Sequence, residues 1–451
     1  MLIGIDDTDS PTGMCTTYLL HKLVQKAVLN MGVDIIGNPR LVRLNPNIPW
    51  RTRGNGAVAV LLGKGTGRKR EIGRCPDGPL FAYERMACDV EQPRELFSMV
   101  TGLVKGLSHF GAKNTNPGAV AAPGADQPHP RFYWNAVRRV VDLEGLRREL
   151  PSGLRVFKMG NGRGIIGASA AISWRPRDYS FERITYRRPG MCGKRRRLDE
   201  SSVLAMDRSH GSTFNNIDVH NRHVAIAPNT PCPVLFGVRG DDMDEVLAAA
   251  KEVMVLSEDY DDWLLFLTNQ GTDDHMFPDP KGPKLYESGV MNGTIITAPE
   301  TRRGGHVFFT LGSGTGGSIQ CAAFEPTKEF RDTVRALVPG DRVRCMGSIS
   351  RAAPMTLNLE KIDVRSLAVI RERLPNPRCP SCGKAMKSIG TGMGYRCRPC
   401  GNKVGTGSVF GKPMERALVL GTYEVPVCAR RHLMRPLKRT PRDGKGAWTL
   451  W

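Results

Sequence analysis

Apolar residues open the chain as a short run over residues 2–5. After a polar, acid-rich gap they recur at Leu19, Leu20, Leu23, Val24, Ala27 and Val28, the spacing of a helix that buries one face. The first unit therefore reads as strand, loop and helix. Strand-like runs follow over 34–44 and 57–62, with the glycine-rich turn TRGNG between them, and two long helical patterns are predicted around Pro93–Gly111 and Trp134–Leu150. Between those helices, NTNPGAVAAPGADQPHP is rich in Pro, Gly and small residues, and reads as a functional loop or boundary. From Arg155, RVFKMGNGRGIIGASAAISW predicts a strand, a glycine loop and an apolar element. PVLFGVRG, DEVLAAAKEVMVLS and WLLFLTNQG, between Pro233 and Gly271, predict β, α, β and hence a second α+β domain.

From about Gly289 the texture changes to short strands with Gly and Pro turns, VMNGTIITAP, HVFFTLG, SIQCAAFEP, DRVRCMGSIS and LNLEKIDV, with one helical stretch, EFRDTVRAL. That order suits an OB-like β-barrel. Two CxxC pairs come next, then a tail in which Arg430, Arg431, Arg435, Lys438, Arg439, Arg442 and Lys445 face only Asp443.

A chain of 451 residues exceeds what one core serves, so several domains are expected, in a multidomain α+β architecture. The formal charge of +21 favours a polyanionic partner, either nucleic acid or an anionic membrane surface. No apolar run approaches the roughly 18 residues of a membrane span, and the N-terminus lacks signal-peptide character. Four of the twelve cysteines sit in CxxC pairs and the rest are scattered, which fits a reducing compartment; a cytoplasmic location without membrane contact is expected.

The sharpest motif is CPSC at Cys379 and Cys382, followed after 14 residues by CRPC at Cys397 and Cys400. Four thiolates on two knuckles suit a tetrahedral, structural zinc. In GIDDTDS, Asp6, Asp7 and Asp9 end a strand and Thr16 and Thr17 open a helix; the carboxylates can hold Mg²⁺ and the helix-start amides a phosphate, or the segment is a turn and an N-cap. The loops Arg53–Gly56 and Gly160–Gly164 let backbone approach a phosphate or are simple turns; a Walker loop is absent. The runs 64–70 and 194–197 read as solvated basic loops, with phosphate contact as the second reading, and Arg342, Arg344 and Arg351 in the barrel favour RNA. His210, His220 and His223 lack metal-ligand spacing, and Cys15 reads as a packing residue before a nucleophile.

GIDDTDSPTGMCTTYLL, KMGNGRGIIGASAAI, FNNIDVHNRHVAIAPNTPCPVLFGVRG and the order of barrel and CxxC pairs together resemble the TiaS family of archaeal tRNA 2-agmatinylcytidine synthetases, up to about residue 405. The resemblance implies a kinase-like α/β ATP-binding domain over 1–130 and a ferredoxin-like domain over 131–285, adjoining or interleaved with it. An OB fold over 286–370, a zinc ribbon over 375–408 and a basic C-terminal tail over 409–451 complete the expected division. The implied reaction uses ATP, Mg²⁺ and agmatine to modify the wobble cytidine of the CAU-anticodon isoleucine tRNA, so that it reads AUA. The implied roles are Mg²⁺ and ATP for Asp6, Asp7 and Asp9, and autophosphorylation for Thr16. Ser10, Gly160, Asn161, Gly162, Arg163 and Gly164 complete the implied ATP-binding set. Cys232 stands where the family favours an acidic residue, which argues against a ligand role there. The carboxylates of Asp241–Glu245 and Glu258–Asp262 could meet agmatine's guanidinium or simply end helices. The rival readings are a non-catalytic RNA-binding protein and an RNA-modifying enzyme that uses another amine.

Overall fold

The computed structural model describes residues 1–441 apart from 113, 279–281, 315, 352–353, 374 and 407–409. Its centre is β1 (Leu2–Asp6), buried along its whole length. Around it the N-terminal chain contributes α1 (Thr16–Met31), β2 (Asp34–Arg43), β3 (Gly56–Cys75), β4 (Gly78–Cys88), α2 (Pro93–Leu107) and β5 (Gly118–Ala122). It continues through α3 (Arg131–Arg138), α4 (Leu143–Glu149), β6 (Arg155–Lys158), α5 (Gly164–Ser173) and β7 (Ser180–Tyr186). With strands Val234–Gly240 and Trp263–Thr268, these form one nine-stranded sheet ordered Val234–Gly240, β7, Trp263–Thr268, β2, β4, β3, β1, β5, β6. β1 runs antiparallel to both β3 and β5, with Ile5 opposite Val58 and Asp6 opposite Gly118, so a fully paired strand delivers its last carboxylate to the sheet's edge.

The two α+β units share this sheet. Trp263–Thr268 pairs with β7 on one side and with β2 and β3 on the other, stitching the second unit into the first. β6 and α5, which follow the border expected at residue 130, complete and cover the first unit's half of the sheet.

Three expectations are corrected. The single helix expected over Trp134–Leu150 is α3 and α4, broken where Val140 and Val141 disfavour helix and Asp142 caps α4 by accepting from the Gly145 amide at 2.7 Å. The basic run 64–70 lies in β3, paired with β4, rather than in a loop. The segment GAVAA of the expected loop is β5, and its small residues reflect close approach: a Cβ on Gly118 would lie 2.4 Å from the Gly164 carbonyl carbon. α5 thus lies with its backbone against the sheet, which only small residues on both sides permit.

Strands Ser288–Ile295, Val307–Gly312, Ser318–Ala323, Arg342–Ile349 and Thr356–Ser366 close into a five-stranded barrel through Thr294 opposite Gly312, around a core that includes Phe309, Leu311, Val343 and Ile362. Three two-residue strands carry the cysteine ribbon.

The expected basic tail is a strap. Strand Gly421–Glu424 adds to the barrel, Leu433 enters the core of the large sheet and Met434 that of the barrel. Arg439 is buried against Asp178 and Asp241 at 2.7 Å each, and Arg430 meets Glu424 at 2.7 Å. Asp178 and Asp241 are distant in sequence, so local composition suggested an unpaired tail. Lys438 is exposed, and Arg442 and Lys445 lie outside the described residues.

Within α1, buried His21 faces the Arg74 carbonyl through Nε2 at 3.0 Å, and its Nδ1 has no partner among the described residues. Burial pushes its pKa down to about 4. The unfolded chain takes up this proton near 6.5, so between those values it binds more protons than the folded one, and stability falls as pH drops through the window. Relative to a His21→Leu variant, the parent is expected to lose about 3 kcal/mol between pH 7 and 4, measured by denaturant unfolding at each pH.

Candidate active site

The turn after β1 is held from all sides. Asp7 sits in the left-handed region at φ 58°, a strained conformation for a non-glycine residue that surrounding contacts must enforce. Its Oδ2 accepts from the Asn116 amide at 3.0 Å, and Thr115 Oγ1 donates to the Asp9 carbonyl at 2.8 Å. The loop before β5 therefore cradles the carboxylate turn. Both oxygens of Asp9 are engaged, Oδ1 by Thr52 and Oδ2 by Arg53, each at 2.8 Å, which clamps the TRGNG turn onto the site. Asp6 is 9% exposed, and Gly167 of α5 leaves room for it: a Cβ there would fall 1.9 Å from Asp6 Oδ2.

Burial raises the pKa of Asp6 well above the ordinary carboxylate value, reinforced by Asp7 and Asp9, with Arg163 opposing. Burial also lifts Asp7 to about 7, against the Asn116 amide and Arg163. Carboxylates this costly to ionise favour a bound cation, and the donor set of Asp6 and Asp7 fits Mg²⁺. They line a cleft of about 480 Å³ with Asp9, Trp50, Arg139 and Arg163. Trp50 and the Arg163 guanidinium lie 5.6 Å apart, a cation–π contact at its mouth.

Thr16 is buried at the start of α1 and its Oγ1 accepts from Thr8 Oγ1 at 3.1 Å. It lines a second cleft of about 280 Å³ on the other side of the Asp9–Arg53 pair, with Arg43, Glu182, Arg239 and His432. Cys15 lines it too, but burial pushes its thiol up, which suits packing rather than nucleophilic attack. Cys232, also buried, lies 3.5 Å from Arg196 in the same wall.

Other named residues support rather than line. Ser10 is fully buried, its hydroxyl shared between the Gly13 carbonyl at 3.2 Å and His109 Nδ1 at 3.0 Å. Gly160, Asn161, Gly162 and Gly164 lie behind the cleft wall: the Asn161 amide donates to Asn116 Oδ1 at 3.1 Å and the Gly164 amide to the Asn116 carbonyl at 3.0 Å. Among them, Arg163 alone lines the first cleft. Of the candidate guanidinium acceptors, Asp241 holds Arg439, Asp242 caps a helix, and Glu258 is buried on Arg187. His210 pairs with Glu252 at 2.9 Å. Trp50, Arg139, Asp142, Arg43, Glu182, Arg239 and His432 were missed, since only the fold brings such separated residues together.

The sulfurs of Cys379, Cys382, Cys397 and Cys400 lie within 4.8 Å of one another, the closest pairs at 3.4 Å. Zn–S bonds of about 2.3 Å place tetrahedral sulfurs about 3.8 Å apart, so the cage fits zinc with no open position. About one zinc per chain is expected by metal analysis, and Cys400→Ser is expected to lose it.

Family models match in order: the TiaS TCKD domain over residues 2–161, the TiaS FLD domain over 162–275, an OB-fold nucleic acid binding domain over 290–364 and the TiaS C-terminal zinc ribbon domain over 376–418. Isoleucine-tRNA 2-agmatinylcytidine synthetases, TiaS, from Methanosarcina mazei and Archaeoglobus fulgidus are 39% and 38% identical to the chain, with 98% of each sequence covered. The chain belongs to the TiaS family. A solved complex of TiaS with isoleucine tRNA and ATP superposes with a TM-score of 0.83 at 36% identity, covering 99% of this chain and 98% of that one. A complex of TiaS with isoleucine tRNA, AMPCPP and agmatine does so at 0.80 and 34%, with the same coverage. The relatives cover the strap as well, so the TiaS likeness extends past residue 405. The acidic turn lies in the TCKD match and Arg163 in the FLD match, so the first cleft draws on both TiaS domains.

Proposed function

We propose that this chain is an ATP-dependent ligase that synthesises 2-agmatinylcytidine at the wobble position of the CAU-anticodon isoleucine tRNA, from ATP and agmatine, in the cytoplasm. The observation that carries the reading is the pair of clefts on either side of Asp9–Arg53, one acidic and one rich in arginine, in a chain that matches TiaS proteins along its whole length. Among the described residues no helix is long and apolar enough to cross a membrane.

The chemistry explains why both clefts are needed. The carbon-2 carbonyl of cytosine is a weak electrophile and its oxygen a poor leaving group. Transfer of the γ-phosphoryl group of ATP to that oxygen, with departure of ADP, corrects both. The primary amine of agmatine then bonds to carbon 2, the carbon–oxygen bond breaks, phosphate leaves and the nitrogen gives up a proton. Asp6 and Asp7 would hold Mg²⁺ with ATP, Asp9 clamps the TRGNG turn beside them through Thr52 and Arg53, and Arg163 and the segment 160–164, with Ser10 behind, fix the turn that presents them. Mg²⁺, when bound, neutralises charge on the phosphoryl oxygens. Thr16, at the N-terminus of α1 and across Asp9 from the first cleft, takes a phosphoryl group in the family's autophosphorylation. The target base must leave its stack to reach these groups, while the barrel and ribbon hold the rest of the tRNA.

ATP consumption by the purified protein is expected to require both isoleucine tRNA and agmatine for steady turnover. A chain that binds the tRNA tightly yet leaves ATP untouched is an RNA-binding protein instead.

A further inference from the structure

The loop between β2 and β3, residues 44–55, builds one wall of the first cleft and carries Thr52 and Arg53, which clamp Asp9. It has no helix or strand of its own, so side-chain bonds must fix its path. Two buried asparagines supply them. Asn45 donates from Nδ2 to the Tyr286 carbonyl at 2.8 Å and accepts at Oδ1 from the Asn47 amide at 2.9 Å. Asn47 donates from Nδ2 to Ser288 Oγ at 2.9 Å and accepts at Oδ1 from Arg431 at 2.6 Å. A backbone amide and a guanidinium only donate, so each side chain has one orientation, with its nitrogen toward residues 286–288.

Those residues belong to the barrel. Ser288 opens its first strand, and the Tyr286 amide donates to the Ile349 carbonyl at 2.7 Å while the Ile349 amide donates to the Glu287 carbonyl at 3.0 Å. Tyr286 is held in the left-handed region at φ 63°, a strain that such bonds must enforce. Its ring meets Trp50 edge to face at 6.3 Å, and Trp50 in turn faces Arg163 at the mouth of the first cleft. Arg431 is itself anchored on Glu360 of the barrel at 3.3 Å. Asn45, Asn47 and Ser288 are 1%, 7% and 2% exposed, so the joint is closed to RNA.

We propose that this joint makes the barrel part of the catalytic apparatus: Asn45, Asn47 and Ser288 are positioning residues that set the 44–55 loop, and through Thr52 and Arg53 the acidic turn, for phosphoryl transfer. A displacement of about 1 Å at a reacting centre costs on the order of 100-fold in rate. Because the three residues do not touch the tRNA, they act on kcat and leave its KM alone. The inference rests on the reading that the first cleft performs phosphoryl transfer.

The test measures agmatinylcytidine formation by the full-length protein at saturating ATP and agmatine, with the concentration of isoleucine tRNA varied. Asn45→Asp sets a carboxylate against the Tyr286 carbonyl and is expected to lose about 10- to 100-fold in kcat with a parental KM for tRNA. Asn47→Asp still accepts from Arg431 and from the Ser288 hydroxyl, and is expected to stay within about threefold of the parent. Ser288→Ala and Asn47→Ala are each expected to lose about 10-fold, and the double variant no more than Asn47→Ala alone, since both break the same bond. Parental kcat in Asn45→Asp and Ser288→Ala overturns the proposal, as do losses that multiply in the double variant. Losses confined to the KM for tRNA make the joint part of the RNA grip and overturn it too. If Asn45→Asp does not fold, the Asn47 and Ser288 alanine variants decide alone. A parent that forms no product at all instead sinks the functional reading beneath it.

Discussion

An Asp7→Asn protein is expected to bind isoleucine tRNA like the parent, to form product at least about a hundredfold more slowly, and to be more stable at pH 8 in the absence of divalent cations. The rate loss follows from removing one of the two carboxylates of the acidic turn that face the first cleft without a salt bridge. The stability gain follows from the same burial. The folded chain keeps the Asp7 proton until about pH 7, whereas the unfolded chain releases it near 4. In that window the folded state binds more protons, so its stability falls as pH rises through it. Asparagine carries no such penalty, so the variant's advantage, up to about 4 kcal/mol, is fully present above pH 7 and gone below pH 4. Denaturant titrations at pH 4 and 8 check the sign. A variant that loses stability at pH 8 makes the carboxylate a structural anchor, and one with parental turnover removes it from the chemistry.

Arg439→Met is expected to cost about 3–5 kcal/mol. The side chain is buried, and its guanidinium satisfies Asp178 through two nitrogens, Asp241 through a third contact, and the Gly271 carbonyl at 2.6 Å. Its loss removes one guanidinium from two partly buried carboxylates, of which Asp178 keeps Arg435 at 3.0 Å. The loss reaches the second cleft as well, because the strap's backbone is tied at Gly271 N to His432 O, 2.8 Å, and His432 is part of the cleft. Arg365→Ala, on an exposed pair with Asp363, is the control and is expected to cost no more than about 1 kcal/mol. Equal small effects in thermal unfolding would mean that the strap is dispensable.

The residues that sequence made legible are those whose chemistry is local. The CxxC pairs announce a cage because knuckle geometry is set within four residues, and the acidic turn announces itself because a buried strand must end somewhere polar. Arg43, Glu182, Arg239 and His432 carry no local pattern; a nine-stranded sheet and a strap from the far end of the chain bring them to one cleft. β5 was hidden for a related reason. Its small residues look like loop composition until α5 is seen crossing against them, a tertiary demand that overrides strand propensity. Within the notional ATP set, the glycine segment was legible as irregular backbone, but its place behind Asn116, rather than in the cleft, was not.

The most direct test is mass analysis of the nucleosides of CAU-anticodon isoleucine tRNA after incubation with the protein, Mg-ATP and agmatine. Agmatinylcytidine at the wobble position, absent when either ATP or agmatine is withheld, is the expected result. Unmodified cytidine in the complete mixture, with the protein folded and the tRNA bound, would contradict the account.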